Sequence, residues 1–243
     1  MNEINSVQNE RVKQWGKLQQ KKYRDKTGQF LIEGEHLIEE ALKYNCVDHL
    51  LLLNSIDHVF KQEKNTILVC QEVLDKLSQN QSQVSMIAVC HLPKWQHQQY
   101  KKGILLDGVQ DPGNLGTIIR TALSFGYEFI TLSKDCVDLC NDKCIRATQG
   151  AMFQIPITRE DLMLKIEELK KDDFKVLGTA LHQATPLKEC KRPEKFVLIM
   201  GNEGQGIKPE ILQNTDQNIF VEMEHFESLN VGVAAGICMY MLK

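Results

Sequence analysis

Long apolar runs are missing from this chain. The longest near-apolar stretch, Val231 to Leu242, is about twelve residues, and a membrane-spanning helix needs about 20. The first thirty residues are polar and lack the apolar core of a secretory signal. No membrane span is therefore expected, and the expected location is cytoplasmic. Paired cysteines are missing too: the eight cysteines are scattered with no C-x2-C pair, so in a cytoplasmic chain they read as reduced thiols. Cys136, Cys140 and Cys144 form a C-x3-C-x3-C run that would share one face of a helix. Zinc sites use C-x2-4-C knuckles with further ligands, and an iron–sulfur spacing of C-x3-C-x2-C is missed by one residue. The run reads as loop and packing cysteines, and no metal is assigned. Strong net charge is absent as well, at −3 with 42% hydrophobic residues, which excludes a disordered chain. No internal repeat or low-complexity tract is present, and 243 residues suit two modest domains better than one.

What charge there is sits unevenly. Residues 1–30 carry seven basic side chains (Arg11, Lys13, Lys17, Lys21, Lys22, Arg24, Lys26) against Glu3, Glu10 and Asp25, a net +4 that leaves −7 on the remainder. A basic arm on an acidic body suits phosphate contacts, and Trp15 and Tyr23 among the lysines suit stacking on bases. An equally good reading is an amphipathic helix with Val12, Trp15 and Leu18 turned to a core.

Residues 29–92 read as a small α/β unit, with strands at 30–32, 47–53, 66–70 and 85–90 and helices at 35–44 and 72–77. The polar stretch after Pro93 reads as a linker, giving domains at 1–95 and 103–243 joined by 96–102. The second half alternates strands (103–107, 128–132, 175–180, 196–200, 218–222) with helices (115–125, 160–171, 208–213, 229–242). Such alternation predicts a mostly parallel sheet covered by helices, with ligands in the loops beyond the carboxyl ends of the strands.

Three loops there stand out. Asp111-Pro112-Gly113-Asn114-Leu115-Gly116 leaves a strand and enters a helix that carries a lone arginine, Arg120, among Ile118, Ile119 and Ala122. Gly108 and Gly113 have the spacing of a nucleotide-triphosphate loop, but Asn114 stands where that loop needs lysine. Gly201, Gly204 and Gly206 follow the strand 196–200 as G-x-x-G-x-G, which is not the dinucleotide order G-x-G-x-x-G. Three glycines in six residues still allow backbone to wrap an adenosine-like ligand, with Glu203 among them. The third loop is Glu227-Ser228-Leu229-Asn230, with Ser228 as a helix N-cap and small residues behind it.

Taken together and in this order, the loops resemble the three motifs of the SpoU (TrmH-like) branch of the SPOUT RNA 2′-O-ribose methyltransferases. D-P-G-N-L-G-x-x-x-R-T-A is matched by Asp111 to Ala122, a strand followed by M-G-x-E-G-x-G by Met200 to Gly206, and S-L-N-V-x-V-A by Ser228 to Ala234. Residues 29–43 are similar to that family's N-terminal substrate-binding module. The stretch Val221-Glu222-Met223-Glu224-His225-Phe226 departs from the family pattern, being one residue shorter.

The resemblance implies an α/β chain with a small N-terminal RNA-binding domain and a C-terminal α/β-knot domain, trefoil-knotted around a mostly parallel sheet. A knot would account for the small residues Gly201, Gly204, Gly206, Gly232, Ala234, Ala235 and Gly236. The implied activity is methyl transfer from S-adenosylmethionine to a ribose 2′-hydroxyl of RNA, ribosomal RNA ahead of transfer RNA, by a homodimer whose partner would meet Ala235, Gly236, Met239 and Leu242. Arg120 is implied to activate the hydroxyl with help from a substrate phosphate, or to hold phosphate and the developing alkoxide. Asn114, Glu203, Ser228 and Asn230 support it, with Glu203 orienting Arg120. Thr179, Ala180, Leu198, Gly201, Val221, Ser228 and Leu229 are implied to hold the cofactor. Two rivals stay open: a catalytically idle RNA-binding protein on the same scaffold, and an ordinary α/β dehydrogenase or ATPase, which the missing glycine order and lysine disfavour.

Overall fold

The computed structural model describes residues 2–80, 83–95, 98–225 and 228–243. No helix among them is long and apolar enough to cross a membrane. Packing divides the chain into two units, Met1–Lys94 with Cys140–Phe153, and Trp95–Leu139 with Gln154–Lys243. Of the stretch expected as a linker at 96–102, Gln96 and His97 lie outside the described residues, and Lys102 already opens a strand.

In the first unit β1 (Asn2–Ile4), β2 (Gln29–Glu33), β3 (Val47–Leu53), β4 (Thr66–Val69) and β5 (Met86–His91) form one sheet, ordered β1-β4-β3-β5-β2. β5 runs antiparallel to both its neighbours and the other pairs are parallel. Helices from the same stretch of chain accompany it: α1 (Glu10–Lys17), α2 (Lys21–Thr27), α3 (Glu35–Lys43) and α4 (Gln71–Leu77). Val12 and Trp15, three apart on α1, share a core with Leu18, Leu51, Val73 and Leu77. Trp15 is therefore only 5% exposed, which removes it as a base-stacking residue and settles the α1 alternative in favour of the core. Tyr23 stays half-exposed on α2, with Lys17 and Lys22 5.7 and 4.8 Å from its ring. α2 buries none of its residues. It is closed by Gly28, whose φ of 69° and N–H bond to the Arg24 carbonyl make a left-handed cap.

The second unit is built on β6 (Lys102–Leu106), α5 (Pro112–Ser124) and β7 (Phe129–Leu132). The chain then departs: α6 (Asp142–Thr148) and a 3-10 turn at Ala151–Phe153 pack in the first unit. There Phe153 stacks on Phe30 at 6.3 Å, and a Cβ on Gly150 would meet Glu40 Cγ at 2.6 Å. A division of the chain by composition does not foresee this return. It also separates the cysteine run, since Cys136 donates to the Leu106 carbonyl at 3.2 Å while Cys140 and Cys144 belong to the first unit. The run does not share one helix face.

The second unit continues through β8 (Ile157–Arg159), α7 (Leu162–Lys171), β9 (Lys175–Thr179), β10 (Thr185–Pro186), β11 (Phe196–Met200), α8 (Pro209–Leu212), β12 (Gln217–Phe220) and α9 (Val231–Met241). All its strand pairs are parallel, ordered β10-β12-β9-β11-β6-β7-β8. The central strands β11 and β7 are buried at every position, as near-continuous apolar runs require when helices cover both faces. One face meets α7, where Leu162, Ile166 and Leu169 join Leu105, Val197 and Ile199. α9 packs on α5. Ala235, Met239 and Leu242 are at most 1% exposed, so they face inward and are not available to a partner. A Cβ on Gly236 would lie 3.8 Å from Thr121.

Candidate functional site at the carboxyl ends of the parallel strands

The path from β6 into α5 is set by Asp111 and Pro112. Asp111 Oδ1 accepts the Asn114 N–H at 2.8 Å, and Pro112 takes the first helical turn, where its missing N–H costs nothing. The glycine loop after β11 is closed on itself. Asn202 and Gly206 exchange both backbone hydrogen bonds at 2.9 and 3.0 Å, and Asn202 Oδ1 accepts the N–H groups of Gly204 and Gln205. A Cβ on Gly201 would fall 2.2 Å from the Gly206 carbonyl carbon, so the loop crosses itself only because residue 201 is glycine.

Three loops meet through three side chains. Glu203 accepts from the N–H of Gln110 at 3.2 Å, the N–H of Asp111 at 3.1 Å and Asn114 Nδ2 at 3.0 Å. Asn114 Oδ1 accepts from Asn230 Nδ2 at 3.0 Å. Asn230 Oδ1 in turn accepts the N–H groups of Gly232 and Val233 at the start of α9. Asn230 is thus the N-cap of α9, which starts two residues later than a cap at Ser228 predicts. Partial burial pulls the Glu203 carboxyl upward, but the donors from Asn114 and the backbone outweigh it and hold it below its ordinary value.

The expected pairing of Glu203 with Arg120 is not formed. The carboxylate is taken by the orphan N–H groups ahead of α5, which have no helical partner of their own. Arg120 lies six residues beyond Asn114 and about a third of a turn round the helix from it. It is exposed, and among the described residues its guanidinium makes no hydrogen bond or ion pair.

Thr179, Ala180, Gly201 and Val221 come together at the ends of the adjacent strands β9, β11 and β12. Thr179 Oγ1 donates to the Ile199 carbonyl at 3.0 Å, and the Ala180 N–H to the Ile219 carbonyl at 3.0 Å. Leu198 is different. It sits two residues inside β11, paired with Ile104 and Leu177 and 0% exposed, so the fold leaves it in the core beneath the loops. Ser228 and Leu229 are exposed just before Asn230. In the shortened stretch, Phe226 lies outside the described residues, while Glu222 pairs with Lys188 at 2.8 Å.

Two residues, one holding these loops and one holding the turn after β7, carry structure that the sequence motifs do not single out. Asn202 Nδ2 donates to the Gly108 carbonyl at 2.7 Å, joining the glycine loop to the loop before α5. An asparagine between glycines is an Asx-turn signal that could have been read. Arg159 on β8 donates to the carbonyls of Ser133, Lys134, Cys136 and Val137, and no local pattern marks it.

Residues 101–240 match the SpoU rRNA Methylase family, and residues 9–88 match the MRM3-like substrate binding domain. The chain is 40% identical to the Bacillus subtilis (strain 168) protein named 23S rRNA (guanosine(2553)-2'-O)-methyltransferase RlmP, covering 100% of both. A structure of an AdoMet bound rRNA methyltransferase from Sinorhizobium meliloti superposes with a TM-score of 0.88 at 28% identity, over 99% of this chain and 97% of that one. One of an RNA 2'-O ribose methyltransferase superposes with a TM-score of 0.82 at 25% identity, again over 99% and 97%. With a family match over more than half its length and a full-length relative, the chain belongs to the SpoU rRNA methylase family.

Proposed function

We propose that this protein transfers a methyl group from S-adenosylmethionine to a ribose 2′-hydroxyl of RNA. The observation that carries the reading is the hydrogen-bonded chain Glu203–Asn114–Asn230, which ties the three motif loops together at the ends of neighbouring parallel strands. The strand ends fit the cofactor. Gly201 lets the backbone of Gly206 and Ile207 fold into the space a Cβ would need, and half-buried Thr179, Ala180 and Val221 lie at the neighbouring strand ends. Their backbone groups, with Ser228 and Leu229, would hold the cofactor, and Leu198 would support it from the core. When bound, S-adenosylmethionine supplies an electrophilic methyl on sulfur.

The remaining chemistry falls to the chain. A ribose hydroxyl is a poor nucleophile, so its proton must be shared and its oxygen aligned. Arg120 is the exposed, uncommitted cation on α5, suited to holding a substrate phosphate and the developing alkoxide through its planar fork. Asn114, Glu203 and Asn230 hold the loops that position it. RNA would be gripped by α2 and its cations, around Tyr23.

The name of the B. subtilis relative points to 23S ribosomal RNA as substrate, ahead of transfer RNA. A cytoplasmic location follows from that substrate. The C-terminal segment is proposed to be knotted, and a second copy to pack on the exposed face of α9. There Val233, Tyr240 and Met241 are 53%, 53% and 51% exposed at i, i+7 and i+8. Mapping 2′-O-methyl sites in 23S rRNA from cells with and without the protein tests the reading. Loss of one site supports it, and an unchanged map contradicts it. Titration with S-adenosylhomocysteine separates an enzyme from an idle RNA-binding scaffold, which would give no binding.

A further inference from the structure

One lysine joins the carboxyl ends of β6, β7 and β11. Asp107, directly after β6, is 1% exposed. Its Oδ2 accepts the Lys208 backbone N–H at 2.8 Å, and its Oδ1 has the Lys208 ammonium 3.2 Å away. The same ammonium donates to Asp135 Oδ2, in the turn after β7, at 2.7 Å. Asp135 Oδ1 accepts from the Ser133 hydroxyl, whose oxygen accepts the Gly108 N–H at 2.9 Å. The Gly108 carbonyl accepts from Asn202 in the glycine loop. Gly108, where the loop to Asn114 and Arg120 begins, is therefore held at both backbone polar groups, and Lys208 closes the ring.

The charges explain why a lysine stands there. A buried carboxylate needs a counter-charge or it is strongly destabilising. The side chain of Lys208 is 44% exposed, so it reaches Asp107 from the solvent side and takes up Asp135 on the way. Its hydrogen bond to Asp135 raises the lysine and, followed by that of Ser133, lowers the Asp135 carboxyl, so each holds the other in its charged form. None of the three strands alone determines where the two loops lie relative to each other. The lysine bridge braces them, beside the direct bonds from Asn202 to Gly108 and from Gln110, Asp111 and Asn114 to Glu203.

We infer that Lys208 is a positioning residue: by gripping Asp107 and Asp135 it braces the glycine loop against the loop that leads into α5, the helix of Asn114 and Arg120, and thereby tunes affinity for S-adenosylmethionine. This role rests on the methyltransferase reading above. The test uses full-length wild type, Lys208→Met, Lys208→Arg and Asp135→Asn. Calorimetry with S-adenosylhomocysteine, steady-state methyl transfer to a 23S rRNA fragment, RNA binding and thermal melts are read on each. Lys208→Met is expected to raise both the Kd for S-adenosylhomocysteine and the KM for S-adenosylmethionine about tenfold, the scale of one charge-assisted hydrogen bond. RNA affinity should stay near wild type. Lys208→Arg should restore most of the affinity, because its fork can reach both carboxylates, and Asp135→Asn should give a smaller rise. Wild-type Kd and KM in folded Lys208→Met would overturn the proposal, as would an arginine variant no better than methionine. Should Lys208→Met fail to fold, Asp135→Asn decides, and an unchanged Kd there overturns it. Wild-type protein that binds no S-adenosylhomocysteine would overturn the methyltransferase reading itself.

Discussion

Truncating Asn114 to alanine cuts the link between the three loops at its middle. The change removes the donor to Glu203 Oε1 and the acceptor for Asn230 Nδ2, both at 3.0 Å. Neither partner is left stranded. Glu203 keeps the N–H groups of Gln110 and Asp111, Asn230 keeps its cap of Gly232 and Val233, and Glu203 and Asn230 are both exposed to water. The stability loss should therefore sit at the low end for hydrogen bonds, about 1 kcal/mol, or roughly 2–4 °C in melting temperature for a domain of this size. The rate is a different matter. Without the link the loop before α9 can shift relative to the other two, and a displacement of about 1 Å near reacting groups costs on the order of 10²-fold. Asn114→Asp should be worse than alanine, because it keeps the shape and sets a second carboxylate against Glu203. The assay is single-turnover methylation of 23S rRNA with enzyme in excess, beside thermal melts. An alanine variant within about threefold of wild type would refute the reasoning. So would a rate loss matched by a collapse in melting temperature, because the contact would then be structural.

Tyr23→Ala should weaken RNA binding by about 1–3 kcal/mol if one base stacks there, and leave the melting temperature unchanged because α2 buries nothing; filter binding at several salt concentrations checks it, and unchanged affinity contradicts it. Gly201→Ala should abolish cofactor binding and lower stability, because its Cβ would meet backbone at 2.2 Å, whereas Gly204→Ala, whose nearest neighbour is 3.6 Å away, should be tolerated; equal effects in calorimetry and melts would refute this. Asp135 and Glu203 both have carboxyls held below their ordinary values of 3.8 and 4.5. A depressed folded value contributes stability that is full above the unfolded value and is lost as pH falls through the folded one. Urea midpoints should therefore be insensitive to these groups above 4.5 and fall below it, with a shallower fall in Glu203→Gln.

The strands of the second unit were legible because a sheet covered on both faces demands unbroken apolar runs. Phe196 to Met200 is such a run, and β11 spans those residues. Short edge strands carry no such pattern. β1, β8 and β10 have three, three and two residues, too few for a period to show. The start of α9 is ambiguous in sequence because Ser228 and Asn230 are both good N-cap residues, and only the bonds to Gly232 and Val233 decide between them. Trp15 was ambiguous for a like reason: an aromatic among lysines suits a base or a core, and the helical partner Val12 tips the balance only once α4 is seen to pack there. At the site, the motif residues were legible one by one but their partners were not. Glu203 turned to the backbone of Gln110 and Asp111, which no spacing in the sequence reveals. The return of 140–153 to the first unit depends on close fits such as Gly150 on Glu40, and such fits leave no mark in composition.

Transfer of labelled methyl from S-adenosylmethionine to 23S rRNA by the purified full-length protein, in single turnover and with the product mapped, is the decisive measurement. Wild type should place one methyl on a ribose 2′-hydroxyl. Arg120→Ala should fold and bind S-adenosylhomocysteine as wild type does, yet lose roughly 10²-fold or more in rate. Arg120→Lys should not recover it, because a point charge does not reproduce the planar fork. No transfer by wild type, or methylation of a base, would contradict the proposed activity. Near-wild-type rates in both Arg120 variants would leave that activity without its proposed catalytic residue.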